Sequence, residues 1–322
     1  PPQPAQPPPA PPPQNPPPTP ATAPGPLKIV YVVLALLLMN NIILQVRVNY
    51  IVKDNTDEIQ NARILSLEET KESDCPILHF SIDDVIEIFK DLTKHADSYD
   101  SIFDNGTLCY LKELHEKYGM KLTLYCFYEF AGFNLSECTD KFADEFLENR
   151  DWLKFGFHAY NAESYTNMDV TRMRDEYMLL AEELHRITGL EKENLAKTLR
   201  LDRFAGTQQQ LAMLEQEFGV TTFLTADDAE RKSYCLDNDE QSFLYEQDHY
   251  MDGKISFTPT DIRLESLDGL EDLEDILYNH KDEKYLVVFT HEHKLNGKVK
   301  KMIHEVGKYG VKNQYTFSDE IF

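Results

Sequence analysis

Carboxylate and imidazole side chains follow several short apolar segments of this 322-residue chain. Asp83 and Asp84 come directly after one such segment, and His158 lies at the end of another. Two adjacent carboxylates can divide the work of binding a metal ion and removing a proton, and a neutral imidazole can bind the same metal. Each also has a structural explanation, because acids are favoured in the first turn of a helix and buried histidines are commonly hydrogen-bonded.

Two further segments carry charged residues in the same kind of position. Arg200 and Asp202 alternate, so a strand would place both on one face, either as an ion pair or as parts of a site. His291 and His293 are spaced in the same way, and a His-x-His pair can bind a metal or hold a proton donor. Each segment alone is weak evidence, but the four together indicate a metal-binding or acid-base centre.

Apolar segments alternate with segments of helical period along the chain. Strands are predicted at residues 77–82, 121–128, 153–160, 198–204, 221–226 and 285–291. Helices are predicted at residues 85–92, 173–187, 211–218 and 270–277. This alternation predicts an α/β fold with a parallel sheet or barrel, interrupted by a β-rich insertion at residues 231–264. In a parallel barrel the carboxyl ends of the strands meet at one mouth, so the polar segments are expected to converge.

The first 74 residues differ in composition from the rest. Of the 17 prolines, 15 lie in residues 1–26, which predicts an extended tail. Residues 27–46 are mostly apolar and predict a hydrophobic anchor such as a transmembrane helix, or a signal-like segment, with a soluble packing element as the remaining alternative. Residues 47–74 are interpreted as an acidic stalk, and 75–322 as the catalytic domain. The protein is accordingly expected to be membrane-anchored or exported, with the catalytic domain outside the cytoplasm.

The charge and the cysteines exclude two classes of function. The chain has 32 basic and 56 acidic residues, a net charge of -24, which repels phosphate backbones, so nucleic acid is not an expected partner. Five cysteines without a CxxC pair exclude a structural zinc knuckle and imply no disulfide framework.

Residues 76 to 322 resemble the polysaccharide deacetylases, the NodB-homology group of carbohydrate esterase family four. The segment HFSIDDV is similar to the family's Thr-Phe-Asp-Asp-Gly element, and GFHAYNA to its His-Ser/Thr-x-x-His element. RLDRFAG loosely resembles Arg-Pro-Pro-Tyr-Gly, and VVFTHEH the closing strand with its Leu-x-x-His. The resemblance implies a distorted (β/α) barrel and a divalent metal ion, Zn²⁺ in the first place.

The resemblance also assigns roles to the matching residues. Asp83 corresponds to the catalytic base, while Asp84 and His158 correspond to metal ligands. Either Arg200 or Arg203 would orient the base. Among the remaining positions His291 would protonate the leaving group, and the predicted substrate-binding residues are Tyr160, Asn161, Phe204 and His293.

One departure from the family pattern concerns the metal. The second histidine of the His-Ser/Thr-x-x-His element falls on Ala162, so only two of the three expected protein ligands are matched. Asp202 is the predicted replacement, and the alternatives are Asn161, Glu163 and the His291–His293 pair.

The function implied is metal-dependent hydrolysis of an acetyl amide or ester on a glycan. Because one ligand position is lost, a non-catalytic glycan-binding or scaffold protein of the same fold is the main alternative. An amidohydrolase with a non-sugar substrate is a third.

Overall fold

The computed structural model describes residues 75–162, 169–281 and 283–321. The strands are β1 (Ile77–Val85), β2 (Leu122–Phe127), β3 (Glu129–Phe130), β4 (Phe133–Asn134), β5 (Leu153–Ala159), β6 (Thr198–Leu199), β7 (Thr222–Leu224), β8 (Tyr250–Asp252), β9 (Ile255–Thr258), β10 (Ile262–Arg263), β11 (Tyr285–His291) and β12 (Thr316–Phe317). The helices are α1 (Glu87–Lys94), α2 (Gly106–Tyr118), α3 (Ala143–Glu148), α4 (Val170–Thr188), α5 (Gln208–Phe218), α6 (Asn238–Gln247), α7 (Leu270–Asn279) and α8 (Gly297–Lys312).

Two sheets of parallel strands form the centre of the fold. Backbone hydrogen bonds order one sheet as β10-β11-β1-β2-β5, with β12 also paired to β1, and the other as β6-β7-β9 with β8 antiparallel at its edge. The long strands are buried on both faces, as expected for parallel strands that helices cover. The predicted α/β class with a parallel sheet is confirmed.

Contacts between the two sheets bring them into a barrel-like arrangement. Ala196 N–H donates to the Phe155 carbonyl at 2.9 Å. The Tyr125 hydroxyl reaches from β2 to the Thr198 carbonyl of β6 at 2.7 Å. A Cβ on Gly156 would lie 2.8 Å from the Tyr125 ring, so glycine there allows this crossing. Among the described residues the backbone hydrogen bonds do not close the ring, which makes the barrel a distorted one.

Local sequence fixes the ends of the helices behind the strands. Asn105 and Asp169 accept hydrogen bonds from the first turns of α2 and α4, and Thr207 forms a capping box at the start of α5. These three helices end at Gly119, Gly189 and Gly219, all in the left-handed conformation that glycine adopts without steric cost.

Two predicted segments differ in the structure. The strand predicted at residues 198–204 ends at Leu199, because Asp202–Phe204 form a 3₁₀ turn with φ of 56° at Arg203 and 54° at Phe204. Residues 231–264, predicted as β-rich, contain three short strands and also helix α6, which starts at an Asp237–Glu240 capping box. Its apolar residues lack a helical period, so the prediction missed it.

The prediction of a transmembrane helix is corrected. No helix in the described part of the chain is both long and apolar enough to cross a membrane. The hydrophobic segment 27–46, the proline-rich tail and the acidic stalk lie outside the described residues. The domain boundaries and a location outside the cytoplasm stay predictions.

Candidate active site

Two irregularities in neighbouring strands place the first site residues. Between Ile82 and Val85, β1 has one residue more than the facing part of β2, and Asp84 has a φ of 60°. His158 is the extra residue of β5 where that strand pairs with β2. A one-residue bulge redirects a side chain that regular alternation would point elsewhere. Both metal-ligand candidates therefore lie at bulges near the carboxyl ends of their strands.

Asp84, His158 and Asp202 converge at this mouth of the barrel. Their ligand atoms all lie within 4.8 Å of one another. His158 Nδ1 donates to the Arg200 carbonyl at 2.6 Å, which leaves Nε2 facing Asp84 Oδ1 at 3.3 Å. Asp202 Oδ2 is buried and has no hydrogen-bond partner. The structure thus brings together the three residues that the sequence offered as metal ligands.

The electrostatics of this cluster fit a cation. Burial opposes the charge on Asp84, but the hydrogen bond with His158 and the charges of the neighbouring imidazoles together outweigh burial and lower the Asp84 pKa. The same contact raises the pKa of His158 against the effect of burial. Burial raises the pKa of Asp202, whose charge no neighbour fully offsets. Two carboxylates, one of them with a buried oxygen that has no hydrogen-bond partner, and one imidazole match the oxygen and nitrogen ligands of a divalent ion.

Asp83 and Arg200 form a buried ion pair beside the cluster. Arg200 Nη1 donates to Asp83 Oδ1 at 3.0 Å and to the Ser81 hydroxyl at 2.6 Å, while Nη2 donates to Thr260. The guanidinium also lies 4.1 Å from the centre of the Phe289 ring. These contacts fix one face of the Asp83 carboxylate. Of the two arginines predicted to orient the base, Arg200 occupies that position.

Arg203 lies elsewhere. Its side chain is 56% exposed, and it donates to the Ala162 carbonyl at 2.8 Å. Its only described carboxylate partner is Asp202, at 3.7 Å.

His291 pairs with a carboxylate that the sequence analysis missed. Glu265 accepts a hydrogen bond from His291 Nδ1 at 2.5 Å and another from the Thr290 hydroxyl at 2.8 Å. Burial disfavours the charged imidazole, but Glu265 together with Asp83 and Asp84 outweighs it and raises the His291 pKa. Glu265 follows the two-residue strand β10, which is too short to be recognised from an alternating pattern.

Glu292, which follows β11, connects the end of that strand to the start of α1. Its carboxylate accepts hydrogen bonds of 2.8 Å from the backbone N–H groups of Ile86, Glu87 and Ile88 at the start of α1. The helix has no cap of its own, so a residue distant in sequence supplies it. Burial raises the Glu292 pKa to about 7. The cap holds the Asp83–Asp84 bulge against the end of β11.

Three of the predicted substrate-binding residues, His293, Tyr160 and Phe204, have different surroundings. His293 is half exposed, with Nδ1 3.6 Å from Asp84 Oδ2 and its ring 5.5 Å from that of His291. Tyr160 stacks on Tyr128 at 4.9 Å and donates to Glu129. The Phe204 ring is covered by the Arg231 guanidinium at 4.6 Å.

Of the other predicted ligand alternatives, His293 lies with Nδ1 3.6 Å from Asp84 Oδ2. Asn161 is half-buried. Glu163 lies outside the described residues.

Known proteins provide a comparison at the level of solved structures. No family model and no curated protein matches the sequence. The family 4 carbohydrate esterase from Streptomyces lividans in complex with acetate is 11% identical with a TM-score of 0.42, over 76% of this chain and 95% of that one. The chitin deacetylase from Colletotrichum lindemuthianum is 13% identical with a TM-score of 0.41, over 75% and 84%. A 4-alpha-glucanotransferase from Thermococcus litoralis is 14% identical with a TM-score of 0.46, over 72% and 38%.

Proposed function

We propose that this chain is a divalent-metal-dependent hydrolase that removes an acetyl group from a glycan. The observation that carries the proposal is that candidate metal ligands, a base and an acid lie together at one mouth of the barrel. The Asp84–His158–Asp202 triangle lies at the same mouth as the Asp83 carboxylate held by Arg200 and the His291 imidazole held by Glu265, and Asp83 and His291 are neighbours across β1 and β11. A metal-ligand set with a base and an acid beside it is the equipment that hydrolysis of an acyl group requires.

The chain's own residues divide the work as follows. Asp84, His158 and Asp202 would hold the ion, preferably Zn²⁺, which lowers the pKa of a water molecule and polarises the acetyl carbonyl. Asp83 accepts the proton of the attacking water, and Arg200 keeps its carboxylate oriented. His291 donates a proton to the departing nitrogen or oxygen. Its raised pKa keeps the imidazole protonated nearer to neutral pH, and Glu265 fixes Nδ1 so that Nε2 serves as the donor.

The glycan part of the proposal rests on the sequence resemblance. The net charge of -24 favours a neutral or cationic sugar over an anionic one. Ala162, at the position of the family's second metal-binding histidine, favours a second candidate, a glycan-binding protein without turnover.

Metal content and acetate release test the proposal together. The purified full chain is loaded with zinc, cobalt or nickel, its metal is measured, and acetate release from acetylated oligosaccharides is followed. We expect one metal ion per chain, and Asp83→Asn and His291→Ala should each lower kcat by about 10² to 10⁴ with unchanged metal content. A chain that binds acetylated oligosaccharides but holds no metal and releases no acetate would be the binding protein instead.

A further inference from the structure

Glu265, the carboxylate that pairs with His291, also lies next to the cation of Arg263. Arg263 lies two residues before Glu265, with Nε 3.4 Å from Glu265 Oε1 and Nη1 3.8 Å from Asp227 Oδ2. Its Nε is buried and has no hydrogen-bond partner of good geometry among the described residues. Arg263 therefore acts on Glu265 as a charge placed between two carboxylates.

Packing against Phe289 sets the position of this guanidinium. Arg263 lies 5.6 Å from the centre of the Phe289 ring, and Arg200 lies 4.1 Å from it. The edge of the same ring contacts the His291 imidazole, at 5.4 Å between centres. Phe289 is almost fully buried, so it has little freedom to shift. The buried Phe289 ring is therefore in contact with all three side chains, Arg200, Arg263 and His291, and limits their positions.

We propose that Arg263 is a positioning residue for the acid half of the site, acting through Glu265. Without its charge, Glu265 would face Asp227 with no cation between them and would relax away from His291. The imidazole would then lose the partner that fixes its Nδ1 proton and its orientation. The catalytic consequence rests on the proposed function, whereas the structural consequence for His291 does not.

Kinetics test the catalytic consequence. Arg263→Ala should lower kcat by about 10- to 100-fold, the usual cost of a small displacement of a reacting group, with KM nearly unchanged. Arg263→Lys should recover part of the loss, and added guanidinium ion should raise the kcat of Arg263→Ala. If Arg263 only stabilised the fold, added guanidinium ion would not raise the kcat of Arg263→Ala. The matched control is Arg150→Ala, which removes an exposed arginine paired with Asp151 at 4.0 Å outside the mouth.

Nuclear magnetic resonance of ¹⁵N-labelled histidine tests the structural consequence without any activity. The His291 resonances are assigned by their loss in His291→Ala. In Arg263→Ala they should move toward those of Glu265→Gln, and in Arg150→Ala they should stay at wild-type positions. Unchanged His291 resonances in Arg263→Ala would overturn the proposal. If they move while the wild-type chain releases no acetate, the positioning role stands and the proposed function fails. Should Arg263→Ala not fold, Asp227→Asn and Arg263→Lys are expected to show smaller shifts of the same kind.

Discussion

Two clusters of the same composition lie at opposite ends of the strands. Asp84, His158 and Asp202 meet at the carboxyl ends, whereas Asp261, His280 and Glu283 meet near the amino ends of β10 and β11. In both clusters two carboxylates and one imidazole bring ligand atoms within 4.8 Å of one another. Composition and proximity therefore do not distinguish a candidate metal site from an ordinary group of ion pairs.

The surroundings distinguish them. Asp261 Oδ2 accepts a 2.6 Å hydrogen bond from the Val287 N–H, and His280, just after α7, lies 3.7 Å from Asp261 and 3.6 Å from Glu283. At the mouth, by contrast, Asp202 keeps a buried oxygen without a hydrogen-bond partner, and the Asp83–Arg200 and Glu265–His291 ion pairs lie at the same mouth. Positive φ at Asp84, Arg203 and Phe204 adds backbone strain there, which proteins retain mainly at functional sites. A buried carboxylate oxygen without a hydrogen-bond partner therefore separates these two clusters, whereas their residue types do not.

Metal binding should separate the two clusters most strongly. Asp84→Ala should lose the bound metal and lower kcat by about 10³-fold or more, because the metal supplies several kcal/mol of transition-state stabilisation. Asp261→Ala, its counterpart, should keep both. Metal content after dialysis and acetate release from the same preparations measure this. Loss of metal in Asp261→Ala but not in Asp84→Ala would reverse the assignment of the two clusters.

Much of the fold followed from the sequence, because strand and helix periods are local properties. The helices after β5 and β6 and the polar residues at the ends of β1, β5 and β11 were predicted for that reason. The convergence of Asp84 with His158 followed from the general geometry of parallel barrels.

The part of the site that the sequence did not predict depends on contacts between residues far apart in the chain. A bulge adds one residue to a strand without changing its apolar pattern, so the orientation of Asp84 and His158 could not be predicted. Glu265 and Arg263 sit on or after a two-residue strand, and Glu292 caps a helix some two hundred residues away in sequence. Only the folded chain reveals these partners.

Removing one cation at each end of the strands should lower the free energy of unfolding by very different amounts. Arg200→Met leaves Asp83 charged and buried, and breaking such a pair costs about 3–5 kcal/mol. Lys121→Met removes a 41% exposed partner of Asp319 near the start of β2, and solvent screening limits that loss to about 1 kcal/mol or less. Urea unfolding of the metal-free variants compares the two. Equal losses of unfolding free energy would mean that Arg200 contributes no more to stability than an exposed lysine does.

The pH dependence of stability should differ in direction between the clusters in metal-free protein. Burial raises the Asp261 pKa to about 7, so the folded state holds this proton more tightly than the unfolded chain. Its favourable contribution is complete at low pH and is lost as pH rises to about 7, with a slope of at most about 1.4 kcal/mol per pH unit. Asp84 has a lowered pKa, so its contribution is present above the unfolded value and is lost only as pH falls below it.

Substitution of each carboxylate makes this difference measurable. Between about pH 4 and pH 7, Asp261→Asn should gain stability relative to the wild type as pH rises, because it removes a group whose ionisation is costly in the fold. Above about pH 5 the difference between Asp84→Asn and the wild type should stay nearly constant, since Asp84 is then ionised in both the folded and the unfolded state. Urea unfolding at a series of pH values with a chelator present gives both curves. Parallel curves for the two variants would show that the clusters share one electrostatic environment.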